Sequence, residues 1–269
     1  MKDIKKNFKR GNSLTKLIYI NVGVFLITSI LHVLSFLFMV NSLEFLNYFT
    51  LPASISYFIK KPWSIITYMF LHQSFIHLLF NMIWLYFGGQ IFLSFFDNKK
   101  LISTYVLGGI SGAVLFIISF NLFPAFAGVL QNAVAVGASA SVLAIIMAIT
   151  TKSPNYSIRL FLIGNIKLKH IAIVSIVLDI LSIPQGNAGG HIAHLGGAFF
   201  GYLYVKQLNG GNDIASIFDK MMDYLATYLK REPKLKKAYR RKKSDQDFRR
   251  GKVQTQAKID NILDKISKS

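Results

Sequence analysis

The chain has 269 residues, 52% of them hydrophobic, a mean hydropathy of +0.42 and a formal net charge of +19. Its apolar residues gather in long runs, which argues against an ordinary soluble domain and for a protein that crosses a membrane several times. Cysteine is absent, which excludes a disulfide, a thiolate nucleophile and any Cys-ligated metal site.

Six apolar segments follow in chain order: 17–40, 76–96, 101–123, 138–150, 171–184 and 192–205. None alternates with the period of a strand, so all six read as helices rather than barrel strands. The first is too long for a signal-peptide core and lacks a small-residue cleavage site, so it is expected to be a retained helix. If the N-terminus is cytoplasmic and every segment crosses, only Lys60 and Lys61 of the 31 Lys and Arg residues fall outside. The loops 124–136 and 185–190 then carry no charge, as the positive-inside pattern requires. The predicted fold is an all-α membrane protein: a six-transmembrane-helix bundle with both termini cytoplasmic and a long outer loop between the first two helices. Residues 1–16 form a basic cytoplasmic N-terminus, 17–206 the bundle, and 207–269 a basic cytoplasmic tail.

The outer loop, 41–75, interleaves Tyr48, Phe49, Tyr57, Phe58, Trp63, Tyr68 and Phe70 with Pro52 and Pro62. It reads as a partly submerged interfacial hairpin or as an ordinary outer loop. On the second segment His77 and Asn81 share a helix face at i, i+4.

The helix of the fourth segment is by itself shorter than the hydrocarbon core it has to cross. From Ser139 to Lys152 a helix rises roughly 20 Å, against a hydrocarbon core of roughly 30 Å. If Lys152 marks the cytoplasmic interface, Ser139 sits about 10 Å below the outer one. By the same ruler His194 stands roughly 18 Å above Lys206, at nearly the same depth. Non-helical backbone at that depth is tolerated where it lines protein or a water-filled cavity, so Ser139 is expected to face such a cavity. Gly197 and Gly201 on the sixth segment, and Ala140, Ala144 and Ala148 on the fourth, repeat at four-residue spacing, which lets two helix backbones approach closely.

A serine at a helix N-terminus is most often a cap. The alternative reading is a nucleophile: free amide N–H groups and the helix dipole suit a developing oxyanion, Gly137 permits a tight turn, and a histidine at matching depth could accept the proton. Of six histidines, His32 reads as structural and His170 as interfacial, whereas His72, His77, His191 and His194 fall toward the outer half. Asp179, midway along the fifth segment, reads as a hydrogen-bonding or gating residue without an assigned partner.

Three dispersed motifs, His77-Leu78-Leu79-Phe80-Asn81, Gly137-Ala138-Ser139-Ala140 and Ala193-His194-Leu195-Gly196-Gly197 with Gly201, resemble the rhomboid family of intramembrane serine proteases over roughly residues 17–206. The resemblance implies Ser139 as nucleophile and His194 as general base, a dyad without a carboxylate. It also implies His77, Asn81 and the Ser139 backbone N–H as the oxyanion hole, and no metal or cofactor. Substrates would be single-span membrane proteins cut near the outer face of their helices. The chain departs from the family pattern at Ala140, where glycine is usual, at Ser64, where an arginine usually follows Trp63, and at Phe92, where an acidic residue is common. A short six-helix form of this kind looks like a protein of a bacterial inner membrane.

Beyond Lys206, Ile214, Ile217, Phe218, Met221, Met222, Leu225 and Leu229 recur at helical spacing, which predicts an amphipathic helix on the membrane surface. Residues 230–252 then hold 12 basic and 3 acidic residues. Such a run favours anionic lipid head groups over nucleic acid, since no folded nucleic-acid reader accompanies it. A last helix carrying Ile259, Ile262, Leu263 and Ile266 is expected to dock on a partner.

Two other function classes fit parts of the sequence. One is a catalytically silent chaperone or sorting factor on the same scaffold. The other is a metal-dependent transporter or protease using His191 and His194, opposed by the lack of a His-Glu-x-x-His motif and of a carboxylate near them at the outer face.

Overall fold

The computed structural model describes residues 11–39, 42–160, 164–229 and 245–268. The basic stretch 1–10 and residues 230–244 of the basic run lie outside the described residues. All six apolar segments are helices: α1 (Ser13–Leu37), α5 (Phe75–Phe95), α6 (Asn98–Leu122), α7 (Ser139–Lys152), α8 (Leu168–Ser182) and α9 (Ala188–Asn209). Four are long and apolar enough to cross a membrane: α1, α5, α6 and α8 with its 3-10 extension to Gln185. The chain is thus an all-α membrane protein.

Local chemistry sets several helix starts. Asn12 accepts from Thr15 N–H at the start of α1, Ser74 from His77 N–H at α5, and Asp97 from Lys99 and Lys100 N–H at α6. Each satisfies amide groups that an apolar helix end would otherwise leave unpaired. Along α1, Leu26, Ile27, Ile30 and Val33 are exposed, a face suited to lipid rather than to water.

The ends of the helices sort onto two faces. On one, Ser13 N–H bonds Asn98 Oδ1 at 2.8 Å, joining the starts of α1 and α6, and Lys152 Nζ reaches Asn209 Oδ1 at 3.0 Å, joining the ends of α7 and α9. Lys100 and Asp213 pair at 2.6 Å on the same face, and Ser103 donates to the buried Asp219. On the opposite face a two-residue strand β1 (Leu51–Pro52) pairs antiparallel with β2 (Val134–Ala135), while Asn121 Nδ2 near the end of α6 donates to Ala53 O at 2.8 Å.

The outer loop is not a hairpin. It holds three short helices, α2 (Ser42–Asn47), α3 (Ile55–Lys60) and α4 (Ser64–Thr67), with a 3-10 turn at Tyr68–Phe70. Pro52 lies in β1 between α2 and α3, and Pro62 separates α3 from α4. Trp63 stacks on Tyr48 and donates Nε1–H to its carbonyl at 2.9 Å, while Leu51, Ala53, Tyr68 and Met69 point inward and are buried. A second hairpin, β3 (Ser157–Leu160) and β4 (Gly164–Lys167), connects α7 to α8.

Helices α6, α7 and α9 form the tightest part of the core. A Cβ placed on Gly197 would lie 2.0 Å from Ala140 O, and one on Gly201 would lie 2.1 Å from Ala144 O. Backbone meets backbone at two successive turns, as the small-residue spacing predicts. Ser111 Oγ–H donates to Gly196 O at 2.8 Å and ties α6 to the same seam.

The tail separates into an amphipathic helix, α10 (Ser216–Leu229), and α11 (Asp245–Ser267). The chain divides into units 1–225 and 226–269. In the first, Asp219 is buried and Asp223 pairs with Lys99 at 2.6 Å, while Ile217 and Met221 are exposed. Ile259, Ile262, Leu263 and Ile266 of α11 are likewise exposed.

Candidate active site

A cavity of about 430 Å³ receives side chains from four helices and from the segment that leads into α7. Ser139 and His194 line it together with His77, Asn81 and Asp179, so the four residues singled out from sequence share one space with a fifth. Much of the remaining lining is apolar, with Phe80 and Trp84 from α5 and Ile171 and Leu178 from α8.

Ser139 is the first residue of α7. The N-cap is Ala138, and no side chain caps the helix, so the Ser139 hydroxyl is not spent as a cap. Gly137 turns the chain into the helix with φ +128°, a conformation that favours glycine. Its N–H bonds Tyr68 O at 2.9 Å, and Tyr68 Oη–H in turn donates to Gly109 O at 2.6 Å, so the outer loop holds the entry to the helix in place. A Cβ on Gly137 would stand 2.9 Å from His77 Nε2 and 3.6 Å from Ser139 Oγ. The missing Cβ therefore lets the His77 ring approach the serine.

Asn81 is buried and returns one amide N–H to His77 O at 2.9 Å, which fixes its carboxamide one turn below His77. The second N–H of that amide is left for the cavity. His72 lies edge-on to His77 with ring centroids 5.2 Å apart. Burial and the neighbouring His77 lower the His72 pKa to about 4, so it backs His77 as a neutral ring at pH 7.

Asp179 has a clear partner set. Its Oδ1 lies 2.8 Å from His194 Nδ1 and 2.8 Å from His191 Nδ1. An ionised carboxylate only accepts, so in that pairing each imidazole donates from Nδ1, and a neutral His194 so placed keeps Nε2 as an acceptor. His194 and Ser139 are half-buried on the same cavity and are not hydrogen-bonded to one another. The expectation that no carboxylate accompanies the outer histidines is corrected here. The signal for it was available: from Lys169 to Asp179 a helix rises about 15 Å, close to the depth of His194.

The Asp179, His191 and His194 ligand atoms lie within 4.8 Å of one another, a donor set of the kind that holds a cation. A tetrahedral ion with bonds near 2.05 Å keeps its ligand atoms roughly 3.3 Å apart. The two 2.8 Å separations are shorter than that and fit N–H···O bonds.

The departures from the family pattern have physical counterparts. Ala140 Cβ occupies room left by Gly112, where a Cβ would approach it to 2.7 Å. Phe92 is fully buried and packs on Phe96 at 4.7 Å, filling the foot of α5 with an aromatic pair instead of an ion pair. Ser64 is buried with its hydroxyl unpartnered, and nothing in the structure explains that.

Comparison with known proteins gives two matches. The family model described as "Rhomboid domain" matches residues 60–209, more than half of the chain. Presenilin-associated rhomboid-like protein A, mitochondrial, of Danio rerio is 28% identical over 160 residues, covering 56% of this chain. The chain spans only 40% of that relative's length.

Proposed function

The chain belongs to the rhomboid family, and from that premise we propose that it is an intramembrane serine endopeptidase acting through Ser139 and His194. The observation that carries the proposal is the shared cavity, where an uncapped serine at a helix N-terminus meets a histidine whose Nδ1 lies 2.8 Å from the Asp179 carboxylate. Ser139 Oγ attacks the scissile carbonyl carbon while its proton passes to His194 Nε2. The carbonyl oxygen becomes an oxyanion next to the Ser139 N–H, the Asn81 amide and the His77 ring. His194 then returns the proton to the leaving amine as the C–N bond breaks, leaving an acyl-enzyme. Water attacks the ester, gives a proton to Nε2, and Ser139 leaves as the reprotonated alcohol.

The proposed substrates are single-span membrane proteins. Helices α5 and α8 both line the cavity but pack little against each other, and their apolar lining suits a segment arriving from the bilayer. We read the bundle as crossing six times with both termini cytoplasmic, residues 17–206 as the protease domain and 207–269 as the tail. The charge distribution supports this, as do the contacts that gather the starts of α1 and α6 with the ends of α7 and α9. The exposed apolar face of α10 and the basic tail are proposed to lie on anionic lipid, with no nucleic-acid partner. The proposed membrane is a bacterial inner membrane, from the compact six-helix form alone. The zebrafish relative carries a mitochondrial name, and fractionation of cells expressing the tagged chain separates these locations.

Hydrolysis of a labelled transmembrane substrate by wild type, Ser139→Ala and His194→Phe tests the activity. Loss in both variants is expected, and undiminished cleavage in either removes the dyad. Binding of transmembrane segments without cleavage by the wild type would instead favour a non-catalytic chaperone.

A further inference from the structure

We propose that Asp179 is a positioning residue for His194, the third member of a Ser139–His194–Asp179 relay, and that His191 holds its carboxylate in place. The inference rests on the serine-protease reading above. It differs from the dyad without a carboxylate that the family resemblance implies.

The geometry is specific. One oxygen of Asp179 receives both Nδ1–H groups at 2.8 Å, from imidazoles three residues apart on α9 whose ring centroids are 5.9 Å apart at 84°. Asp179 is buried near the outer end of α8, where an ionisable group is costly unless partnered. Two donors on one oxygen fix the carboxylate's rotamer, and the fixed carboxylate selects the Nδ1–H tautomer of His194. Only that tautomer leaves Nε2 free to accept the Ser139 proton. When the proton arrives, the new imidazolium sits 2.8 Å from a negative oxygen in a site of low dielectric, where such a pair is worth far more than in water. Because α8 carries the acid and α9 the base, the relay also makes the spacing of these two helices part of the catalytic geometry.

His191 contributes differently. Its ring does not line the cavity, while His194 does. Removing it leaves the Asp179–His194 bond in place, whereas removing the carboxylate frees the tautomer. Asparagine at 179 is close in shape, but its amide can donate to Nδ1 and so stabilise the tautomer with the proton on Nε2, which cannot serve as the base.

The test measures kcat and KM on a labelled transmembrane substrate, with thermal stability in parallel, for the wild type, Asp179→Asn, Asp179→Glu, His191→Phe and Ser139→Ala. The expected result is a fall in kcat of about 100-fold or more for Asp179→Asn with KM and stability little changed. Asp179→Glu should recover part of that loss, and His191→Phe should lose less than about tenfold. If Asp179→Asn does not fold, the Glu and His191 variants decide: activity of the Glu variant no better than that of Ser139→Ala overturns the relay. Wild-type kcat in Asp179→Asn beside an inactive Ser139→Ala overturns the relay and spares the serine reading. Full activity in Ser139→Ala overturns both.

Discussion

The α7–α9 seam has two ends with opposite characters. Toward Lys152 and Asn209 it is dry: Ala144, Ile145, Ile149 and Tyr204 are fully buried, and Gly201 lies against the Ala144 carbonyl. Toward Ser139 and His194 the same helices part around a cavity in which both side chains stay half-buried. Close packing of two backbones needs small residues such as Ala144 and Gly201, whereas hydrolysis needs water and titratable groups. The contrast is a division of labour, with the Lys152 end as a packed floor that fixes the distance between two groups at the Ser139 end.

The largest way to break that division is at the floor. Gly201→Leu drives a side chain into the Ala144 carbonyl, and overpacking of this kind is expected to cost at least about 3 kcal/mol. Thermal unfolding in detergent should show a large loss of stability, with activity lost as a consequence. A stable Gly201→Leu variant would mean the seam is looser than described. At the Ser139 end the pattern inverts. Asn81→Ala is expected to lower kcat by about 100-fold, because it removes an oxyanion donor, while stability changes little. Steady-state kinetics and melting on one preparation check both halves of that claim. The smallest effect is expected at the junction: Ala140→Gly costs about 1 kcal/mol in helix propensity and should keep substantial activity, since Gly112 already supplies the space opposite. Melting and cleavage assays on that variant sharpen where floor ends and site begins.

These features were unequally legible in the sequence. The six apolar runs correspond to six helices because lipid-facing and core-facing positions are both apolar, which makes each run continuous. α9 extends beyond the run 192–205 at both ends, to Ala188–Asn209, because its first turn is built from Ala188, Gly189 and Gly190 rather than large apolar residues. Ser139, His194, His77 and Asn81 line one cavity: the helix ruler sets Ser139 and His194 level, whereas the link from His77 and Asn81 to that pair came from the family resemblance. Asp179 was seen but not placed, since its partners lie 12 and 15 residues away on the next helix and no local period links them. The short helices of the outer loop were missed because Pro52 and Pro62 signal breaks without saying what lies between them. The β3–β4 hairpin was missed for a similar reason: its strands are four residues each, too short for alternation to register.

An activated nucleophile at Ser139 can be trapped covalently. Wild-type protein in detergent is treated with a fluorophosphonate probe and digested, and the adduct is located by mass spectrometry, with Ser139→Ala and His194→Phe alongside. The expected result is one adduct, on Ser139, absent from the alanine variant and strongly slowed without His194. An unlabelled wild type that still cleaves substrate, or an adduct elsewhere that survives Ser139→Ala, would contradict it.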